Sequence, residues 1–307
     1  MIDILMATFN GGHWLRQQID SILAQTSPEW RLIIRDDGSA DETVRICQEY
    51  ALRYPEKIRL LVDDCGRLKS GGNFSRLLAQ TSRQADYTMF SDQDDVWEPR
   101  KIEILLAATQ EMEAQHGPAV PILTHSDSQV VDENLHLIAP SLLKYLNRAP
   151  NPDVNRLCME LPILGHSVMM NRACKVLGGA SVPDGFGSWD WWFPLVAVVF
   201  GYIHFVKEPL VRYRRHPSTA ILLRGHGLSA YLTRSLRDHH RRVNISLRQC
   251  EIFHKIFEDR LDPEHKAFFA SVSRIRSASW LMRRVLVVRH RLFKTGFLKT
   301  AGVVLAV

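Results

Sequence analysis

Apolar and polar positions change period along the chain, and the changes mark its elements. Ile2 to Ala7 is a short apolar run with Asp3 inside it, followed by the turn Thr8-Phe9-Asn10-Gly11-Gly12. His13 to Gln25 then carries helical periodicity through Trp14, Ile19, Ile22 and Leu23. Arg31 to Arg35 predicts a second strand, ending at Asp36-Asp37-Gly38-Ser39. Ser39 or Asp41 is placed to cap the next helix, which runs to about Arg53. Ile58 to Val62 predicts a third strand, Asp63 to Gly72 a glycine loop, and Asn73 to Gln80 a helix. Tyr87 to Phe90 reads as a buried strand that stops at Asp92, Asp94 and Asp95. Pro99 then suits the first turn of a helix over Arg100 to Gln115. Strands and helices thus alternate from residue 2 to about residue 115, which predicts βαβ units and a largely parallel sheet. The turns at Asp36-Asp37 and at Asp92 to Asp95 both end strands, so a parallel sheet puts them on one edge.

The second half is less regular. Ile122 to Ser126 and Ser128 to Val131 read as strands, Asn151 to Leu161 as a short helix, and Gly165 to Met170 as a strand before a helix ending at Gly178-Gly179. Phe186 to Phe193 sets Asp190 among three Trp and two Phe residues. Tyr202 to Val206 and Val211 to Tyr213 predict strands around Glu208-Pro209. From about Leu228 to Phe293 the pattern is two long helices broken near Asp262-Pro263.

Composition narrows the class. A chain of 307 residues, 46% apolar and 23% charged, has enough core for one large or two modest domains. The net charge of +6 is concentrated between Arg224 and Lys299. A basic tail suits nucleic acid, an anionic membrane or an acidic substrate, and a solvated helical face accounts for it equally well. The five cysteines are scattered and form no CxxC pair, which argues against a disulfide framework or zinc knuckle and for a reducing compartment. The opening residues do not read as a signal peptide, and the longest apolar stretch, Trp191 to Phe200, is too short to span a bilayer. A cytoplasmic protein is expected.

The acidic residues carry the candidate chemistry. Asp92, Asp94 and Asp95 repel one another, and a hard cation such as Mg²⁺ or Mn²⁺ relieves that repulsion and meets a diphosphate. A solvated acidic turn capping the following helix is the plainer reading. Asp36 and Asp37, beside Thr8 and Asn10, are short acceptors suited to a nucleobase N–H or a ribose hydroxyl, or simply to helix capping. Asp190 sits between Trp189 and Trp191, whose rings suit stacking on sugars and whose low-dielectric wall would raise a carboxylate towards the range of a general base. A core-facing aromatic helix is the alternative there. His216 is a candidate third metal ligand or phosphate contact, and Arg67 and Lys69 in the glycine loop are candidate phosphate contacts or plain surface charge. The chain has no P-loop, nucleophile elbow or GxGxxG, which weighs against NTPases, α/β-type hydrolases and dinucleotide enzymes.

Five blocks together resemble family 2 glycosyltransferases of the GT-A fold. They are Ala7 to Gly11, Arg35 to Thr43, Phe90 to Trp97, Gly165 to Ser167 and Trp189 to Trp192, in matching order and separation. The subgroup most similar is that of bacterial rhamnosyltransferases, where an Asp-Trp-Trp block and a later Tyr-Arg-x-His block recur. The resemblance implies an α/β fold with a mixed, mostly parallel sheet flanked by helices. It implies that Thr8 and Asp37 line a nucleobase pocket bordered by Asn73. Asp92 would contact the ribose or diphosphate side, Asp94 would bind the metal, and Asp95 would support that shell or face the donor sugar. Asp190 would take the proton from the acceptor hydroxyl.

The expectation is a catalytic domain over residues 1–222 and a basic helical extension over 223–307. The expected reaction is inverting, metal-dependent transfer of a sugar, L-rhamnose as first guess, from a dTDP- or UDP-sugar to a bacterial surface glycan or glycolipid. Peripheral contact with the inner face of the cytoplasmic membrane and a homodimer are further expectations; nucleic acid is not an expected partner. The competing readings are a nucleotidyltransferase that makes a nucleotide sugar, and a non-catalytic basic membrane- or nucleic-acid-binding protein. The first needs a basic triphosphate loop that Thr8 to Gly12 does not supply, and the second leaves the acidic cluster without a use.

Overall fold

The computed structural model describes residues 1–82, 85–161, 163–179, 189–216 and 236–307. The elements follow in order as β1 (Ile2–Thr8), α1 (Gly12–Leu23), β2 (Trp30–Asp36), α2 (Thr43–Arg53), β3 (Ile58–Leu61), α3 (Lys69–Leu78), β4 (Tyr87–Ser91), β5 (Val96–Trp97) and α4 (Lys101–His116). Next come β6 (Ile122–Val131), β7 (Leu137–Ala139), α5 (Leu142–Leu146), α6 (Val154–Leu157), a 3-10 turn (Gly165–Ser167), β8 (Val168–Asn171), α7 (Arg172–Gly179), α8 (Trp189–Phe200) and β9 (Tyr202–Arg214). The last helices are α9 (Leu236–Phe257), α10 (Pro263–Ser273), α11 (Trp280–Arg289) and α12 (Phe297–Ala306). Residues 1–142 and 163–216 form one compact unit; 143–161 and 236–307 form a second.

The first unit is an α/β sheet of order β3-β2-β1-β4-β8-β6-β9-β5, with β7 beside β6. β1 is parallel to β2 and β4, and β2 to β3, as the alternation predicts. β4 and β6 both run antiparallel to β8, and β6 runs parallel to β9. It follows that β1, β2, β4, β6 and β9 all end at one edge, where open α/β sheets bind ligands. Side chains alternate across β1. Ile2, Ile4 and Met6 pack with Leu15, Ile19 and Ile22 of α1 and Ile46 of α2. Through Phe90, β4 packs against Phe74 of α3 and Phe193 of α8, with ring centroids 5.6 and 5.8 Å apart. Asp3, the polar interruption in β1, is buried but satisfied by Arg31 at 2.9 Å and the Ser82 amide at 2.8 Å.

Several boundaries differ from the sequence reading. α3 starts at Lys69, four residues early, because Asp37 accepts hydrogen bonds from the Leu68 and Lys69 amides and anchors a first turn that Gly71 and Gly72 disfavour by propensity. α4 begins at Lys101, with Pro99 outside it. α2 starts after Glu42, yet Asp41 still accepts the Thr43 amide at 3.0 Å. The two strands expected between 122 and 131 are one, with a register shift at Asp127, and β9 likewise runs through Glu208-Pro209. Gly165 to Ser167 turns as 3-10 helix before β8 starts. Only Val154–Leu157 is helical between 151 and 161, with Asp153 as its cap. The tail breaks again at Ser279 and at Gly296, whose φ of 100° suits glycine, so it holds four helices among the described residues. The expected start near Leu228, the 222/223 boundary and Phe186 to Ser188 lie outside the described residues.

Gly201 joins α8 to β9, where a Cβ would lie 1.9 Å from the Pro121 carbonyl oxygen. Backbone cannot yield as a side-chain tip does, so Gly201→Ala is expected to cost about 1–3 kcal/mol. A lowered urea midpoint at unchanged slope is the measurement that checks it.

Candidate active site

On the β1–β2 side of the edge the polar residues hold one another. Thr8 Oγ1 donates to Asp36 Oδ1 at 2.9 Å, and Asp36 also takes the Ser39 amide at 2.7 Å. Asn10 has a left-handed φ of 48°, which Asn tolerates, and its side-chain oxygen accepts the Ala40 amide at 2.8 Å. Asn10 therefore fastens β1's turn to the loop after β2. Asp37 is buried and takes the Leu68 and Lys69 amides at 2.7 Å each. Arg35, which the sequence reading missed, ties this side together. Its buried guanidinium donates to Asp37 (3.1 Å), Asn73 (3.3 Å), Asp63 (3.0 and 3.1 Å) and the Gly66 carbonyl (2.9 Å). Asn73 returns a bond to the Arg35 carbonyl at 3.2 Å. Thr8, Asp37 and Asn73 are thus brought to one place, with the Arg67 guanidinium 4.0 Å over the Phe9 ring beside them.

The acidic turn between β4 and β5 is clamped to β1 by Gln93, whose amide accepts from Phe9 N at 2.8 Å and donates to Phe9 O at 3.0 Å. The three carboxylates then divide. Asp94 meets His216 Nε2 at 2.8 Å, and that imidazole lies on the Trp14 ring at 5.5 Å. Asp92 and Asp95 face His166 Nδ1 at 3.6 and 3.7 Å. The expected set of Asp92, Asp94 and His216 is therefore split into a pair and a trio. His166 is the trio's third member; a lone His inside the Gly165-His166-Ser167 block was the only signal for it. It is buried, hydrogen-bonded through Nε2 to Ser128 at 3.0 Å, and stacked on Tyr213 at 5.0 Å.

Asp95 is fully buried and accepts the Arg214 amide at 3.0 Å, but among the described residues its Oδ2 has no hydrogen-bond partner. Burial pushes its carboxyl well above the usual carboxylate range, and the charges of Asp94 and Asp92 add to this. Burial likewise pulls Lys101 down, although its ammonium sits 3.3 Å over the Trp97 ring and reaches the His166 carbonyl at 2.6 Å. A buried acceptor left unmade is costly. Separations of 3.6–3.7 Å are too long for hydrogen bonds, but they suit ligands arranged about one ion. The residues therefore fit a divalent cation. Arg214 closes the far side, donating to the Asp94 carbonyl (2.8 Å), the Glu133 carbonyl (2.5 Å) and Gln17 (2.6 Å). Next to it a cleft of about 320 Å³ opens, walled by Trp14, Gln17, Glu133, Asn134 and Arg214.

Asp190 is in the first turn of α8 and is half-buried. α8 packs along β6 and β9 and ends one residue before β9 begins. Its first turn therefore points back to the edge where β9 ends, the edge of the acidic turn. Trp191 is 4% exposed, so its ring is core and not a platform for a sugar. Trp192 is buried too, and its indole N–H donates to the Gly178 carbonyl at 2.9 Å. The Trp189 side chain lies outside what the structure describes.

Residues 3–145 match the sequence model of glycosyl transferase family 2. These residues form a family 2 glycosyltransferase domain. Over 99 residues the chain is 40% identical to the dTDP-rhamnosyl transferase RfbG of Shigella flexneri, which covers 32% of this chain and 34% of RfbG. It is 28% identical over 226 residues to the uncharacterized glycosyltransferase RP339 of Rickettsia prowazekii, covering 70% and 64%. The chain thus spans about a third of RfbG's length. In fold, the family 2 domain and its surroundings are GT-A. S. aureus TarS 1–349 in complex with UDP superposes with a TM-score of 0.54 at 15% identity, covering 99% of this chain and 89% of TarS. The mannosyltransferase PcManGT of Pyrobaculum calidifontis, in complex with GDP-Man and Mn²⁺, gives 0.54 at 15%, covering 99% and 85%.

Proposed function

We propose that this chain is an inverting glycosyltransferase that moves a sugar from a nucleotide diphosphate to a hydroxyl of a bacterial surface glycan. What carries the reading is the gathering of Asp92, Asp94 and Asp95, from the region matched to family 2, with His166 and His216 at the end of β4. The donor is a dTDP- or UDP-sugar, with dTDP-rhamnose favoured by the partial likeness to RfbG. Thr8, Asp37 and Asn73 take the nucleoside, while Arg67 over Phe9 flanks the diphosphate. Asp92, Asp95 and His166 hold a divalent cation, and Asp94, paired with His216, completes the negative charge around it. Carboxylates with one imidazole suit Mn²⁺ better than Mg²⁺. When bound, the cation supplies positive charge to the diphosphate as it leaves.

Asp190 accepts the proton of the acceptor hydroxyl while that oxygen attacks the anomeric carbon. The bond from carbon to the diphosphate oxygen breaks on the opposite face, and its electron pair leaves with the diphosphate. Inversion follows from this single displacement. We assign the acceptor to the cleft beside Arg214, between the start of α1 and the turn after β6. Residues 1–222, apart from the 143–161 segment that belongs to the second unit, serve as the catalytic region and 223–307 as a basic helical extension. The working location is cytoplasmic, and an acceptor carried on a lipid would bring the chain to a membrane surface.

A thermal-shift screen of UDP, dTDP and GDP, each with and without Mn²⁺, tests the donor site, because a ligand bound only by the native state raises Tm. The expected result is a Mn²⁺-dependent rise with UDP or dTDP that Asp94→Ala abolishes. A folded protein that shifts with no nucleotide would overturn the reading.

A further inference from the structure

The second unit carries a helix whose exposed face is apolar. Leu281, Val285 and Val288 of α11 recur at i, i+4 and i+7 and so form one stripe. They are 65%, 49% and 54% exposed. Met282 and Trp280 flank the stripe and are exposed as well, while Val287 on the other side is buried. A surface helix normally turns its apolar stripe to the core; α11 turns Val287 inward and leaves a second stripe outside. Leu305 of α12, 66% exposed, extends the patch, and Arg284 joins the two helices by donating to the Leu305 carbonyl at 3.4 Å.

Charge names the occupant. No Asp or Glu follows Glu264, whereas nine Lys and Arg do. Arg289 and Arg291 are exposed beside the stripe, and Arg284 lies 3.9 Å over the Trp280 ring. An outward apolar stripe, an interfacial Trp and an unopposed cationic rim are what a helix lying in a bilayer surface needs. A second copy of the chain would bring the same excess of positive charge against this face. No described helix is long and apolar enough to cross a membrane.

We propose that α11 docks the chain on an anionic lipid bilayer, with Leu281, Val285 and Val288 entering the acyl boundary and the arginines meeting lipid phosphates. This does not rest on the transferase reading, because vesicle binding is read without donor or acceptor.

The test is sedimentation of the full chain with phosphatidylglycerol vesicles and with phosphatidylcholine vesicles. The expected result is binding at least about tenfold stronger to the anionic vesicles and weakened by salt. Leu281→Asp with Val285→Asp is expected to lower it at least about tenfold, as is Arg289→Glu with Arg291→Glu. Because these side chains are exposed, Tm and the nucleotide-induced shift should stay as in the wild type. Equal binding to both vesicles, no binding, or unchanged binding by the Asp variant would overturn the proposal. So would a wild-type dimer that the Asp variant splits while vesicle binding persists, since the face would then belong to a second copy.

Discussion

Asp190→Asn is expected to lower kcat by about 10²- to 10⁴-fold, the range for loss of a positioned general base, with little change in KM or stability. Asn keeps the size and hydrogen-bonding reach of Asp but cannot accept a proton at neutral pH. Packing fixes where residue 190 sits. The Trp192 indole is pinned to the Gly178 carbonyl at 2.9 Å, and Phe193 fills the space where a Gly178 Cβ would lie, 2.5 Å from its ring. A proposed base held on so constrained a helix should respond to chemistry rather than to slack. Initial rates with the donor identified by thermal shift provide the measurement. Asp190→Asn should keep the Mn²⁺-dependent shift that Asp94→Ala loses, which separates proton transfer from donor binding. A kcat within about twofold of wild type would remove Asp190 from the role.

The alternation of apolar runs and the two acidic turns were enough to read the parallel half-sheet and its ligand edge, because its strands are local and β1, β2 and β4 are buried on both faces. What was not legible is what forms only after distant segments meet. Arg35 reads as an ordinary strand residue until Asp63 and Asn73 arrive 28 and 38 positions later. His166 joins Asp92 and Asp95 only through β8, which enters the sheet antiparallel between β4 and β6. Lys101 gives no sign in sequence that it will be buried under Trp97. Trp191 misled for the opposite reason: aromatic rings suit sugar faces and protein cores alike, and only burial tells them apart. In the tail, periodicity revealed helices and the break at Asp262-Pro263, but not the later breaks at Ser279 and Gly296, nor that the stripe on α11 would face outward.

Arg35→Ala is expected to be the most destabilising single change at the site. It leaves the Asp37 and Asp63 carboxylates without their buried cation, and breaking a buried ion pair from one side costs about 3–5 kcal/mol. Arg35→Lys should recover little, because one ammonium cannot replace a fork that reaches Asp63, Asp37, Asn73 and Gly66 at once. The pH dependence carries the same signature. Hydrogen bonds from Arg35 hold the Asp63 carboxyl below the usual range, against the opposing pull of burial. A lowered folded-state pKa stabilises fully above the unfolded value, about 3.9, and that stability is lost as pH falls below it. Urea titrations at neutral and at acid pH should therefore show the wild type losing this contribution on acidification and Arg35→Ala losing less, the Cys65 amide and Arg76 still donating to Asp63 at 3.1 Å each; equal acid sensitivity in both would detach Asp63 from Arg35. Nucleotide binding separates the two roles of the network. Asp37 keeps its amide donors from Leu68 and Lys69 in the variant but loses the cation that balances its charge. If Asp37 faces the nucleobase, a variant still folded at low temperature should lose the UDP- or dTDP-induced shift. A full shift in the destabilised variant would make the Arg35 network scaffold alone and put the nucleoside elsewhere along the edge.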